Sequence, residues 1–230
     1  RTFDPLNVQI CDPARPTTCV SGGPGRRRWE FMALPGESID QLNDEASAWR
    51  LLEPWDAHPG NARLERHAVY RFQARWVEQW RRGRVLLAGD AAHQTPPFAG
   101  QGLCAGLRDA ANLAWKLAAE FRGWATPGLL DSYHAERYPV GLDVIDDSLA
   151  QCGLIANPTR EGVALRDRFN AILGTDPSLC RELAVRLSGL AIRYPAPGQV
   201  PLPGHPLAGQ RAPDLDLRNA TVGGALAATL

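Results

Sequence analysis

Gly83-Arg-Val-Leu-Leu-Ala-Gly-Asp-Ala-Ala-His-Gln-Thr-Pro-Pro-Phe-Ala-Gly-Gln-Gly102 is the stretch on which the reading of this chain turns. Its unbroken apolar run, Val85-Leu86-Leu87-Ala88, predicts a short strand covered on both faces. Gly89 and the carboxylate of Asp90 follow at the C-terminal end of that strand, which is the edge where ligands sit in open α/β sheets. Pro96 and Pro97 stiffen the loop beyond it, and Gly100-Gln101-Gly102 opens a helix. Glycines there let backbone N–H groups approach a flat ligand edge without interference from a Cβ. A helix start also offers unpaired donors and roughly half a positive charge.

Working outward, residues 102–121 predict a helix whose apolar stripe is Leu103, Leu107, Ala111, Ala114, Ala118 and Phe121, with Lys116 and Glu120 as an i,i+4 pair on the other side. Upstream, Val8 and Ile10, Thr18 and Val20, and Trp29 and Phe31 fall into extended runs broken by Pro13, Pro16 and Ser21-Gly22-Gly23-Pro24-Gly25, as in a hairpin or meander. Ser38 is an N-cap for a helix over 38–52, and residues 67–77 alternate as a strand, with Tyr70 and Phe72 on one face and Arg71 and Arg75 on the other. Downstream, helices are expected near 128–149, 161–173 and 177–193, the last capped by Asp176 with Pro177 at its first position. Pro195 to Pro213 reads as a linker and Asp214 onward as the opening of another domain.

Composition excludes several classes of function. Lys+Arg and Asp+Glu both number 25, so no net field favours nucleic acid or an acidic membrane surface. The five cysteines, Cys11, Cys19, Cys104, Cys152 and Cys180, are odd in number and scattered, which argues for a reducing compartment such as the cytoplasm. No run of apolar residues approaches membrane-spanning length. His93 has no other histidine at ligand spacing, so a hydrogen bond holding the loop is the better reading than a metal. Arg108-Asp109 reads equally as a surface pair or as a support for the loop, and Arg26-Arg27-Arg28 as a solvated tip.

A carboxylate that accepts sugar hydroxyls, beside a helix start that stabilises negative charge, suits a reduced flavin and its ribityl chain. The pattern strand, Gly-Asp-Ala-Ala-His, Pro-Pro, Gly-x-Gly, helix resembles the second flavin fingerprint of the class A FAD-dependent aromatic hydroxylases, a flavoprotein monooxygenase family. Over residues 96–117 the resemblance is strongest to the 3-(3-hydroxyphenyl)propionate hydroxylases, with Cys104-Ala105-Gly106 where many relatives carry Asn-Thr-Gly. The resemblance implies an α/β fold: the C-terminal part of a Rossmann-like FAD-binding domain, an antiparallel substrate-domain sheet and C-terminal helices. The implied divisions are 1–83 in the substrate sheet, 84–150 in the flavin-contacting part, 151–205 as C-terminal helices, and 206–230 as a linker and the start of a thioredoxin-like domain.

By the same resemblance, Gly89, Asp90, Pro97, Gly100, Gln101, Gly102, Leu103 and Cys104 would contact FAD. Asp90 would take the ribityl hydroxyls, the amides of Leu103 and Cys104 would face the flavin C2 oxygen, and Pro97 would sit beside the isoalloxazine and substrate. The implied reaction uses NAD(P)H and O2 on a small phenolic acid, with no nucleic acid or membrane partner, and a homodimer is the oligomer expected. The family's first fingerprint, G-x-G-x-x-G, is absent, as is its middle Asp-Gly motif. Arg1 in place of Met and the unpunctuated end at Leu230 suggest an incomplete chain without the segment for the ADP half of FAD. Two other readings stay open: another FAD enzyme, either a reductase or a halogenase, the latter calling for a lysine near the flavin, and a non-catalytic remnant that keeps the fold for subunit contacts. Lys116 is the only lysine.

Overall fold

Three short strands make an antiparallel meander, as the alternation in 6–35 predicts: β1 (Asn7–Ile10), β2 (Thr17–Ser21) and β3 (Arg27–Phe31), in the order β1-β2-β3. The computed structural model describes residues 7–194, so the linker expected from Pro195 and the domain expected from 206 lie outside the described residues. Cys19 sits opposite Val8 on one side and Trp29 on the other, fully buried at the centre of the sheet. The β2–β3 reversal uses Gly23 and Gly25, both at positive φ (102° and 70°), a region open to glycine without steric cost.

The expected helix over 38–52 is two helices. Ser38 caps α1 (Ile39–Leu42), and Asp44 caps a fresh start, α2 (Glu45–Leu52), accepting from the Ser47 amide at 3.3 Å. Asn43, at the break, accepts instead from the amide of Val69 at 3.1 Å. The strand expected over 67–77 shrinks to β4 (Arg75–Trp76). Alternation marks a chain fit for a sheet, but a strand exists only where a neighbour takes its ladder bonds. Here that neighbour is β7 (His93–Gln94), and it meets only Arg75 and Trp76.

The strand expected over 85–88 is also corrected. Only Val85–Leu86 (β6) is extended, paired antiparallel with β5 (Arg81–Arg82), and Val85 is 64% exposed rather than covered on both faces. Leu87 is held instead by two bonds: its amide donates to Trp80 O at 2.9 Å and its carbonyl accepts from Tyr133 Oη at 2.8 Å.

Four helices complete the described chain: α3 (Gln101–Arg122), α4 (Ser132–Ala156), α5 (Arg160–Thr175) and α6 (Pro177–Leu187). Asp176 caps α6 as its sequence predicts, accepting from the amides of Ser178 and Leu179. The faces of α3 are the reverse of the expected ones. Its apolar stripe is outward, with Leu103 76% and Phe121 86% exposed, while Ala105, Asp109, Asn112, Lys116 and Ala119 are buried. Their spacing of three and four residues makes one seam, and α4 packs along it. The core beside this seam is Trp80, Ala92 and Tyr133, with Leu86, Leu87, Ala88, Leu113 and Tyr138 packed around them. Together these elements are an α/β fold in which two long helices support a short, irregular loop region.

Candidate functional site

The loop that follows β6 opens one side of an open cleft of about 440 Å³. A 3-10 turn, Gly89–Ala91, begins it, and Gly89 at φ +57° makes the turn accessible. That turn sends Asp90 outward while Ala92 and His93 point into the core. Pro97 then precedes a second 3-10 turn, Phe98–Gly100, and Gly100, at φ +64°, is the N-cap of α3. No side chain caps this helix, so no capping side chain occupies the amides of Gly102 and Leu103. A Cβ on Gly102 would lie 3.0 Å from Thr95 Oγ1, so the glycine is what lets the Thr95 hydroxyl settle against the helix start.

Of the residues singled out in the sequence, the cleft brings together Asp90, Pro97, Gly100, Gly102 and Leu103. Gly89, Gln101 and Cys104 do not line it. The Gly89 amide is engaged on the far side of the turn, and Gln101 Nε2 reaches back to Leu187 O at 2.9 Å. Cys104 is exposed. Sequence reading missed Gln94 and Thr95, which lie inside the decisive stretch, and Gln73 and Arg28, which come from elsewhere. Among the described residues Arg28 is the one cation lining the cleft, and it pairs with Glu30 at 2.9 Å. Its sequence places it in a solvated tip, whereas strand alternation on β3, which turns it away from its neighbours Arg27 and Trp29, is the signal that sets it apart. Arg71 and Arg75 do not line the cleft. Phe72 meets Phe98 edge-on at 5.5 Å, so the 70–73 segment leans on the cleft loop without forming a strand.

Behind the cleft lies a charged network that no local pattern announces. Asp109 on α3, fully buried, accepts from the Gly89 amide at 3.1 Å, from His93 Nε2 at 2.7 Å and from Arg137 Nε at 2.7 Å. Burial pushes its carboxyl up, but His93, Arg137 and the Gly89 amide together outweigh that and hold it below the usual carboxylate range. So His93 does hold the loop, and of the pair Arg108-Asp109 it is Asp109 that supports it. Arg108 donates to Ser188 O at 2.6 Å instead. One helical turn and more along the seam, Lys116 meets Glu136 at 2.7 Å rather than Glu120. Burial raises Glu136, and the bonds from Asn112, Lys116 and Ser132 reverse the shift. Each buried charge of this seam thus has an opposite partner, without which its burial would be costly.

The family described as FAD binding domain matches residues 16–148. The chain is 43% identical over 185 residues to a 3-(3-hydroxy-phenyl)propionate/3-hydroxycinnamic acid hydroxylase of Mycolicibacterium vanbaalenii, a match covering 78% of this chain and 32% of that protein. Its structure resembles OxyS anhydrotetracycline hydroxylase from Streptomyces rimosus with a TM-score of 0.74 at 34% identity, over 92% of this chain and 41% of that one. Aklavinone-11 hydroxylase, solved as a ternary complex with FAD and aklavinone, matches with a TM-score of 0.56 at 31% identity, over 68% of this chain and 30% of that one. The chain spans about a third of the length of the curated relatives it matches.

Proposed function

This chain belongs to the FAD binding domain family of the class A flavoprotein aromatic hydroxylases, and from that premise we propose that it forms the flavin-facing wall of an enzyme that hydroxylates a phenolic aromatic acid with NAD(P)H and O2. The observation that carries this reading is the cleft itself. It gathers an outward carboxylate (Asp90), an uncapped helix start (Gly100 to Leu103), Pro97 and a cation (Arg28).

These residues fit the isoalloxazine and ribityl part of FAD. Asp90 would accept ribityl hydroxyls. The amide at Leu103, unclaimed by any capping side chain, would meet the electron-rich carbonyl edge of the ring. Bare backbone at Gly100, where a Cβ would meet nothing within 4 Å, leaves room for a flat ring system. When bound, FAD supplies the redox and oxygen chemistry, and the protein's part is to bind, orient and exclude water. No side chain of the cleft need act as a nucleophile.

A substrate carboxylate desolvated in such a cleft requires a donor, and Arg28 is the residue placed to supply it. The relatives named for 3-(3-hydroxy-phenyl)propionate support an acid of that kind. A halogenase reading is disfavoured by Lys116, the sole lysine, which is buried in its pair with Glu136 and does not line the cleft. We place the reaction in the cytoplasm: the described cysteines are all free thiols, and no described helix is long and apolar enough to cross a membrane.

The test is turnover by the protein expressed from its complete coding sequence. NAD(P)H oxidation, catechol formation and peroxide release are followed with 3-(3-hydroxyphenyl)propionate and with phenol. The propionate should be hydroxylated better by about tenfold or more, the worth of a single charge-assisted contact. Equal turnover of phenol, or peroxide without catechol, would remove the substrate assignment.

A further inference from the structure

Among the described residues nothing bonds the Asp90 carboxylate, so its position is set by the backbone of the turn that carries it. That backbone is held by Asp109. One carboxylate oxygen, Oδ2, accepts from the Gly89 amide at 3.1 Å and from His93 Nε2 at 2.7 Å, residues on either side of Asp90. The other, Oδ1, accepts from Arg137 Nε on α4 at 2.7 Å. A single buried side chain therefore ties both ends of the turn to two helices.

The surrounding contacts leave the turn little freedom. A Cβ on Gly106 would come within 3.3 Å of Gly89 Cα, so the turn already rests against the α3 backbone. The His93 ring stacks on Trp80, with centroids 5.1 Å apart and planes 25° apart, and Trp80 rests on α4 at Gly141. Asp109 supplies the remaining restraint, and its ionised carboxylate accepts all three donors with no proton of its own to place among them.

We propose that Asp109 is a positioning residue for the flavin: it fixes where Asp90 stands without reaching the cofactor. This rests on the assignment of the Asp90 cleft to FAD. Asp109→Asn keeps the shape but replaces an acceptor oxygen with an NH2 group, which must then face Arg137 or the donors of the turn. The turn should loosen, and Asp90 should lose its place.

The experiment is a double-mutant cycle on FAD affinity, read by quenching of flavin fluorescence in the protein from its complete coding sequence. Its members are the parent, Asp109→Asn, Asp90→Ala and the double variant. Asp109→Asn should weaken FAD binding about tenfold, the worth of one hydrogen bond to a charged group. In the Asp90→Ala background it should add almost nothing, because an effect that travels through Asp90 vanishes with Asp90. Additive losses would show that Asp109 only supports the fold, and would overturn the proposal. So would an Asp109→Asn variant that binds as the parent does while Asp90→Ala is weakened, and that result would leave the cleft assignment standing. If Asp90→Ala alone has no effect, the cleft assignment falls, and this proposal with it. Should Asp109→Asn fail to fold, His93→Gln releases one end of the turn while leaving the Asp109–Arg137 pair intact. The same cycle is then read on it, with the same coupling expected and additivity again counting against the proposal.

Discussion

Gly141 on α4 lies under the indole of Trp80 so closely that a Cβ there would sit 2.8 Å from Cη2, and 3.3 Å from His93 Cδ2. The missing side chain lets the helix backbone form one wall of the core that carries Trp80, Ala92 and Tyr133. Gly141→Ala should therefore destabilise, although alanine is the better helix former, because overpacking a close-packed core costs about 1–3 kcal/mol. Urea denaturation of parent and variant measures it. A variant as stable as the parent or more so would show that Trp80 is not seated against α4 in this way.

Acid should unfold the protein through carboxylates that the fold keeps ionised. Glu37 is held at about 2, from an ordinary 4.5, chiefly by its hydrogen bond from Arg15 and then by the Leu34 amide. A lowered folded value means that its contribution is present in full above about 4.5 and is lost as pH falls towards about 2. Asp109 and Glu136 are shifted in the same direction and add to the same trend. The urea midpoint should fall steadily across that window, and Glu37→Gln should make the fall shallower. A midpoint that stays flat through the window would contradict these pairings.

What could be read in the sequence was the part decided locally. Turn residues marked the β1–β3 meander, Asp176-Pro177 marked the start of α6, and Gly100-Gln101-Gly102 marked the start of α3 within a residue. Asp90 and Pro97 were legible because the signature that carries them is contiguous. The rest depended on partners distant in sequence. Periodicity found the apolar stripe of α3 but could not say which face meets α4, and the general preference for burying the apolar stripe gave the wrong answer. The seam is polar because Asp109 and Lys116 meet Arg137 and Glu136, some 28 and 20 residues later. Likewise the alternation of 67–77 could not reveal that only Arg75 and Trp76 meet another strand. Arg28 entered the cleft from a run of three arginines in which only the alternation of β3 sets it apart from Arg27.

Arg28→Gln tests the substrate end of the cleft. Arg28 is itself largely solvent-exposed in its pair with Glu30, so the fold should lose little. The KM for 3-(3-hydroxyphenyl)propionate should rise by about tenfold or more if a charged hydrogen bond worth roughly 1.5–3 kcal/mol is removed, while phenol is affected far less. Equal changes for the two substrates would show that Arg28 does not read the carboxylate.

These 230 residues contain no G-x-G-x-x-G pattern to bring a pyrophosphate to a helix N-terminus. Expressed as the stretch from Arg1 to Leu230, the chain should bind FAD more weakly than micromolar and be purified colourless. A stoichiometric yellow protein would show that the cleft alone suffices to hold the cofactor.

The central claim is that Asp90 faces the flavin, and one titration tests it most directly. FAD affinity is measured for the protein from its complete coding sequence and for its Asp90→Ala and Asp90→Asn variants, with circular dichroism confirming that each is folded. Hydrogen bonds to a charged group contribute roughly 1.5–3 kcal/mol, so the alanine variant should bind about ten- to a hundred-fold more weakly. Asparagine, which still accepts, should lose less. An alanine variant that binds FAD as tightly as the parent would make Asp90 a bystander and contradict the account.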